Sequence, residues 1–131
     1  MIKGACHCGN VEWELDTHPQ SVLSCNCSLC HRQGALWAYG ILGKDVTISG
    51  APKAYRRGAK PQIEFMFCPN CGCLTHYVML SPDEDGDRRC AVNLRMAEFD
   101  KVADIKVQRF DGRETWSKLP SAGVTVRDLW G

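Results

Sequence analysis

The chain has 131 residues, the length of one domain, and its 16 Lys and Arg against 15 Asp and Glu leave it near neutrality. That balance offers no concentrated basic face for nucleic acid, and no apolar run approaches the ~18 residues of a membrane span. The opening MIKGACHCGN has no charged-then-apolar leader, so a cytoplasmic protein without nucleic-acid or membrane partners is the expectation.

In chain order, the first element follows Cys6-His7-Cys8-Gly9, where Val11, Trp13 and Leu15 alternate with Glu12 and Glu14 as in a half-buried strand. SCNCSLCHRQG then sets Cys25, Cys27 and Cys30 within six positions and predicts a turn or short helix over SLCHRQG. Alternation returns at Val46 and Ile48, and again at Ile63, Phe65 and Phe67. That last run leads into Cys68-Pro69-Asn70-Cys71-Gly72-Cys73. LTHYVML (74 to 80), CAVNL (90 to 94) and IKVQRF (105 to 110) complete the strand candidates, set off by the turn signals SPDEDGD and RFDGRE. A weaker helical signal lies near RMAEFD. The expectation is a single, mainly β domain over residues 1–131, of antiparallel strands with little helix, its long connections pinned by something other than a large core.

Nine cysteines cannot all pair, and without a secretory leader metal ligation or catalysis is the commoner use of thiols. C-x-x-C before glycine is the usual metal knuckle, because a tight turn aims both sulfurs at one point. Cys68 and Cys71 form one, but a zinc bound only by cysteines needs two more ligands. Cys6 and Cys8 supply a second tight pair, also followed by a glycine and also abutting a strand. This pairing leaves Cys25, Cys27 and Cys30 as a separate group that is not needed to staple the chain.

GACHCGNVEWEL, CNCSLCHRQGALWAYG and FCPNCGCLTHYV, in this order, resemble the glutathione-dependent formaldehyde-activating enzymes, a domain shared with centromere protein V. The resemblance covers residues 4 to about 110 and includes all seven zinc cysteines of the family. It implies a β-tent fold with a structural zinc on Cys6, Cys8, Cys68 and Cys71, and a catalytic zinc on Cys25, Cys27 and Cys30. It also implies that glutathione sulfur adds to formaldehyde or a related small aldehyde, an activity classed by its reverse as a carbon-sulfur lyase. A zinc held by three thiolates is a poor Lewis acid for making hydroxide but suits binding a further thiol as thiolate.

A binding module without catalysis is the alternative reading, since fold does not fix function. A dithiol oxidoreductase is disfavoured by the absence of a βαβ pattern. Glutathione carries two carboxylates, which makes Arg32, Arg56, Arg57 and Lys60 cation candidates, although a solvated surface charge is the commoner outcome for each. Trp37 and Tyr39 are expected either to wall a pocket or to fill strand core. Cys73 either approaches the second group or is a buried small hydrophobe, and the burial usual for free cysteine favours the latter. His76 reads more readily as a structural histidine than as an acid or base. His31 and His7 are set aside as ligands, Cys90 reads as a strand residue, and DGRETW is assigned no chemistry.

Overall fold

A computed structural model describes residues 1–130. Its strands are β1 (Ile2–Ala5), β2 (Val11–Leu15), β3 (Ser21–Cys25), β4 (Trp37–Ile41), β5 (Val46–Gly50), β6 (Lys53–Arg56), β7 (Ile63–Phe67), β8 (Leu74–Met79), β9 (Arg89–Asn93), β10 (Lys106–Asp111) and β11 (Ser117–Lys118). Helices are short: α1 (Ser28–Gln33), α2 (Phe99–Val102) and α3 (Val126–Trp130), with a 3-10 turn at Leu94–Met96. Strand makes up 42% of the structure and helix 14%, which agrees with a mainly β reading. The weak helical signal near RMAEFD divides into the 3-10 turn and α2.

β1, β2 and β5 form a three-stranded antiparallel sheet, and the other strands form an eight-stranded sheet in the order β11-β10-β3-β4-β9-β8-β7-β6. One pairing departs from the antiparallel expectation: β3 and β10 run parallel, with Val22 opposite Val107 and Cys25 opposite Phe110. The chain leaving β9 travels through the 3-10 turn and α2 before β10 joins β3, and a crossover of this kind permits parallel pairing.

Period-two alternation gives the large sheet two unlike faces. On one face Ala38, Met66, Val78, Cys90 and Val92 pack with Trp13, Leu15 and Val46 of the small sheet. Leu15 and Val46 are wholly buried, and each such side chain contributes about 1.5–3 kcal/mol. The opposite face carries a row of facing residues, Tyr39 on β4, Ala91 on β9, Tyr77 on β8 and Phe65 on β7. Trp37, paired with Leu23 of β3, continues it. Asn93 is buried at the edge of this face; its side chain donates to the Leu74 carbonyl (2.8 Å) and accepts from the backbone N–H groups of Leu36 and Arg95 (3.2 Å each). These bonds fix where β4 begins relative to β8 and β9.

Candidate functional site

The chain ends of β1 and β7 meet at a four-sulfur cluster. Cys6, Cys8, Cys68 and Cys71 have all their sulfurs within 4.8 Å of one another, and the separations Cys6–Cys8 and Cys8–Cys68 are 3.7 and 3.5 Å. A tetrahedron with sulfurs 2.3 Å from its centre has edges of about 3.8 Å, so the donor set fits a zinc-sized ion. Gly9 and Gly72 follow the two cysteine pairs with φ of 81° each, the left-handed conformation that lets both turns close. N–H groups point at the sulfurs: Val11 N–H at Cys6 (3.2 Å), Cys71 N–H at Cys68 (3.5 Å) and the Asn10 amide at Cys68 (3.7 Å). Burial pushes the Cys6 thiol up to about 11, whereas backbone N–H groups, that of Cys73 foremost, hold Cys71 down to about 5. Cys73 packs half-buried beside this cluster, against Cys6, Val11 and Cys68, and not beside the second group.

The second group, Cys25, Cys27 and Cys30, spans the end of β3 and the start of α1, its sulfurs again within 4.8 Å of one another. Cys27 is the N-cap of α1, and its sulfur accepts from the Cys30 backbone N–H at 3.4 Å. The Cys27 N–H donates to Cys25 (3.4 Å) and the Trp37 indole N–H to Cys30 (3.3 Å). Burial raises the thiols of Cys25 and, to about 12, Cys30. For Cys27 the burial effect is outweighed by the Cys30 N–H and neighbouring donors, which hold it at about 7. Three sulfurs with a donor on each are a soft thiolate set suited to zinc. His31 and His7 are exposed and belong to neither group.

All three cysteines of this group line a cavity of about 570 Å³ on the uncovered face of the large sheet. Trp37 and Tyr39 are among its walls, with Phe65 and Tyr77. Trp37 and Tyr77 meet edge to face at 4.7 Å, and Phe65 and Tyr77 at 5.7 Å. Of the cations suggested by sequence, only Arg57 lines the cavity; its guanidinium reaches Cys27 Sγ at 3.9 Å and Ser28 Oγ at 3.3 Å. Arg56 pairs with Glu64, Arg32 turns back to the Ser28 carbonyl (2.9 Å), and Lys60 is exposed in the bend after β6. Arg89 on β9 is a second lining cation that sequence reasoning missed. Its signal was its register, two residues before Ala91 on the same face as Tyr39 and Tyr77.

The DGRETW segment also turns out to belong to the site. A Cβ on Gly112 would lie 2.5 Å from Cys25 Sγ and 3.2 Å from Cys27 Cβ, so the backbone there abuts the sulfur group directly. Asp111 fastens the segment. It accepts from the Asn26 amide (3.2 Å), from backbone N–H groups of Arg113, Glu114 and Thr115, and from the Thr115 hydroxyl (2.9 Å). Thr115 and Glu114 foremost hold its carboxyl down to about 2. Asn26, between two of the three cysteines, returns a bond by accepting from Arg113 N–H at 3.1 Å. Trp116 closes the segment, packed edge to face on Phe110 at 5.1 Å.

His76 is buried and its ring Nδ1 hydrogen-bonds with the Thr75 hydroxyl at 2.8 Å. It alternates with Tyr77 and so faces away from the cavity, opposite Met66 and Val92. Cys90 is buried in the core, as a strand residue should be.

Comparison with known proteins adds two findings. The family model described as glutathione-dependent formaldehyde-activating enzyme matches residues 1–117. A crystal structure of a Rhodobacter sphaeroides protein, a structural-genomics target, is similar with a TM-score of 0.60 and 27% identity, covering 99% of this chain and 96% of that one. Among curated proteins there is no match.

Proposed function

The chain belongs to the glutathione-dependent formaldehyde-activating enzyme family, and from that premise we propose that it is a zinc-dependent carbon-sulfur lyase. In this reading it joins glutathione to formaldehyde or a related small aldehyde at Cys25, Cys27 and Cys30. The observation that carries the proposal is that these three cysteines, their sulfurs close together, line one cavity large enough for a small molecule, with an arginine beside them. Cys6, Cys8, Cys68 and Cys71 take the structural zinc in this reading, for two ions per chain. The same reading makes the chain one zinc-stapled domain of the β-tent type, and nine unpaired cysteines support a reducing, cytoplasmic location.

When bound at the three-cysteine group, zinc supplies a centre that favours the ionised form of a substrate thiol. The thiol sulfur bonds to the carbonyl carbon, the carbonyl π pair moves to oxygen, and the thiol proton ends there. The chain's own part is placement and charge. Trp37 holds Cys30 in position through its indole N–H, the capping bond of Cys27 fixes the start of α1, and Arg57 offers a cation to the substrate carboxylate next to the sulfurs. The rings of Phe65 and Tyr77 give the cavity an apolar wall.

Calorimetric titration of glutathione into the zinc-loaded protein, with and without formaldehyde, tests this. Saturable binding is expected, lost in Cys27→Ser. No binding at millimolar glutathione overturns the proposal.

A further inference from the structure

Formaldehyde and glutathione leave much of the cavity unexplained. Formaldehyde is one carbon and one oxygen, and glutathione is polar along its length, yet the walls include the apolar surfaces of Trp37, Phe65, Tyr77, Ile63, Met79 and Trp116. A site of about 570 Å³ lies within the range that holds drug-sized ligands. Its apolar walls have no counterpart in either molecule.

Trp116 is the sharpest case. It is 73% exposed although it is the largest side-chain type, and its φ of 52° lies in the left-handed region that non-glycine residues seldom occupy. Both features are unfavourable in the free protein. Both are held in place by the hydrogen bonds of Asp111 and by the approach of Gly112 to Cys25. Tyr39, which lines the same cavity, is 40% exposed and leans on Tyr77 at 6.4 Å. Trp116, beside the sulfur group, and Tyr39, farther along the aromatic row, thus present two open aromatic surfaces to one cavity.

We infer that the carbonyl compound handled here carries an aromatic or branched apolar group, which lies between Trp116 and the Tyr39–Tyr77 pair while its carbonyl carbon meets the thiol sulfur. The inference rests on the thiol-aldehyde reading above and specifies its second substrate. The product is RS–CH(OH)R′, with the new bond between sulfur and carbon, the thiol proton on oxygen, and R′ the apolar group. Arg57, beside the sulfurs, and Arg89, farther along the aromatic row, remain for the carboxylates of the thiol.

S-Alkylated glutathiones place a substituent where the aldehyde carbon sits in the product, so they read this pocket without chemistry. Calorimetry on the zinc-loaded protein should find S-benzylglutathione bound about tenfold more tightly than S-methylglutathione, the gain expected for burying most of one ring. Trp116→Ala should bring the ratio close to one, and Trp116→Phe should restore most of it. Turnover should follow the same order, with kcat/KM for phenylacetaldehyde above that for formaldehyde at fixed glutathione. Equal affinity for the two thioethers, or a ratio untouched by Trp116→Ala, overturns the inference. If neither thioether binds while formaldehyde and glutathione still react, the inference falls and the lyase reading stands. If neither binds and no aldehyde reacts, both fall.

Discussion

Replacing Gly112 by Ala adds one methyl group where the backbone presses on the sulfur group. The new carbon would lie 2.5 Å from Cys25 Sγ and 3.2 Å from Cys27 Cβ, against about 3.5–4 Å for a relaxed contact, so something must move by about 1 Å. The segment cannot simply retreat: Asp111 and Asn26 tie it to the cysteine loop through the Asn26 amide, the Arg113 N–H and the Asn26 N–H to the Phe110 carbonyl (3.2 Å). Displacement therefore falls on Cys25 and Cys27. Disturbing groups that orient metal ligands costs roughly 10–100-fold in metal affinity, and that loss is expected for the three-cysteine site alone. Competition with a chromophoric chelator should resolve two zinc-release steps in the parent protein. In Gly112→Ala the weaker step should shift by that factor while the stronger one, at Cys6, Cys8, Cys68 and Cys71, stays put. An unchanged weaker step would refute the argument, because it would mean the added methyl is absorbed without touching the sulfurs.

Cys68→Ser should abolish cooperative thermal unfolding, since structural zinc in small modules is worth about 10 kcal/mol or more, whereas Cys27→Ser should unfold normally and bind one zinc fewer by elemental analysis. Asn93→Ala leaves the Leu36 N–H and the Leu74 carbonyl without their buried partner and should cost about 2–4 kcal/mol in urea unfolding. His76 gives a pH dependence. Burial lowers its pKa from 6.5 to about 4, so below pH 6.5 the unfolded chain takes up a proton that the folded one refuses, and stability falls as pH falls toward 4. At about 1.4 kcal/mol per pH unit the loss attributable to this ring is about 3 kcal/mol, complete near pH 4 and absent above pH 7. The stability difference between the parent and His76→Gln should trace that window, and a pH-independent difference would contradict it.

Local chemistry was legible in the sequence and long-range register was not. Seven cysteines sort into two groups from spacing, because a C-x-x-C or C-x-C turn brings its own sulfurs together, and the glycines after Cys8 and Cys71 signal that turn; the structure groups them in the same way. Period-two alternation located β2, β5 and β7, and turn signals set off the runs that became β8, β9 and β10. β3 and β4 carry the second site, yet alternation did not mark them, because Leu23, Cys25, Trp37 and Tyr39 face the cavity while Val22 and Ala38 between them face the core. No polar face remains to give the pattern. Arg89 joins the cavity only through the β4–β9 pairing, and Asp111 and Gly112 reach the cysteine loop only through the parallel β3–β10 pairing. Nothing in their local sequence distinguishes them from turn and surface residues.

The parallel pairing explains why the segment after β10 ends at the site. β10 runs alongside β3 with Phe110 opposite Cys25, so both strands finish at the same edge of the sheet and whatever follows β10 must pass the cysteine loop that follows β3. An antiparallel partner would have sent that segment to the opposite edge. The same register puts Asp111 within reach of Asn26 and leaves room only for a residue without Cβ at 112. One face of the large sheet is spent on packing against the small sheet, and the other, freed from that duty, can keep Tyr39 and Trp116 exposed beside the sulfurs. Such exposure is costly in a chain of this size unless the cysteine clusters contribute stability that the core does not. A four-sulfur staple at one end of the sheets and an open three-sulfur group on the free face are, on this argument, two parts of one arrangement.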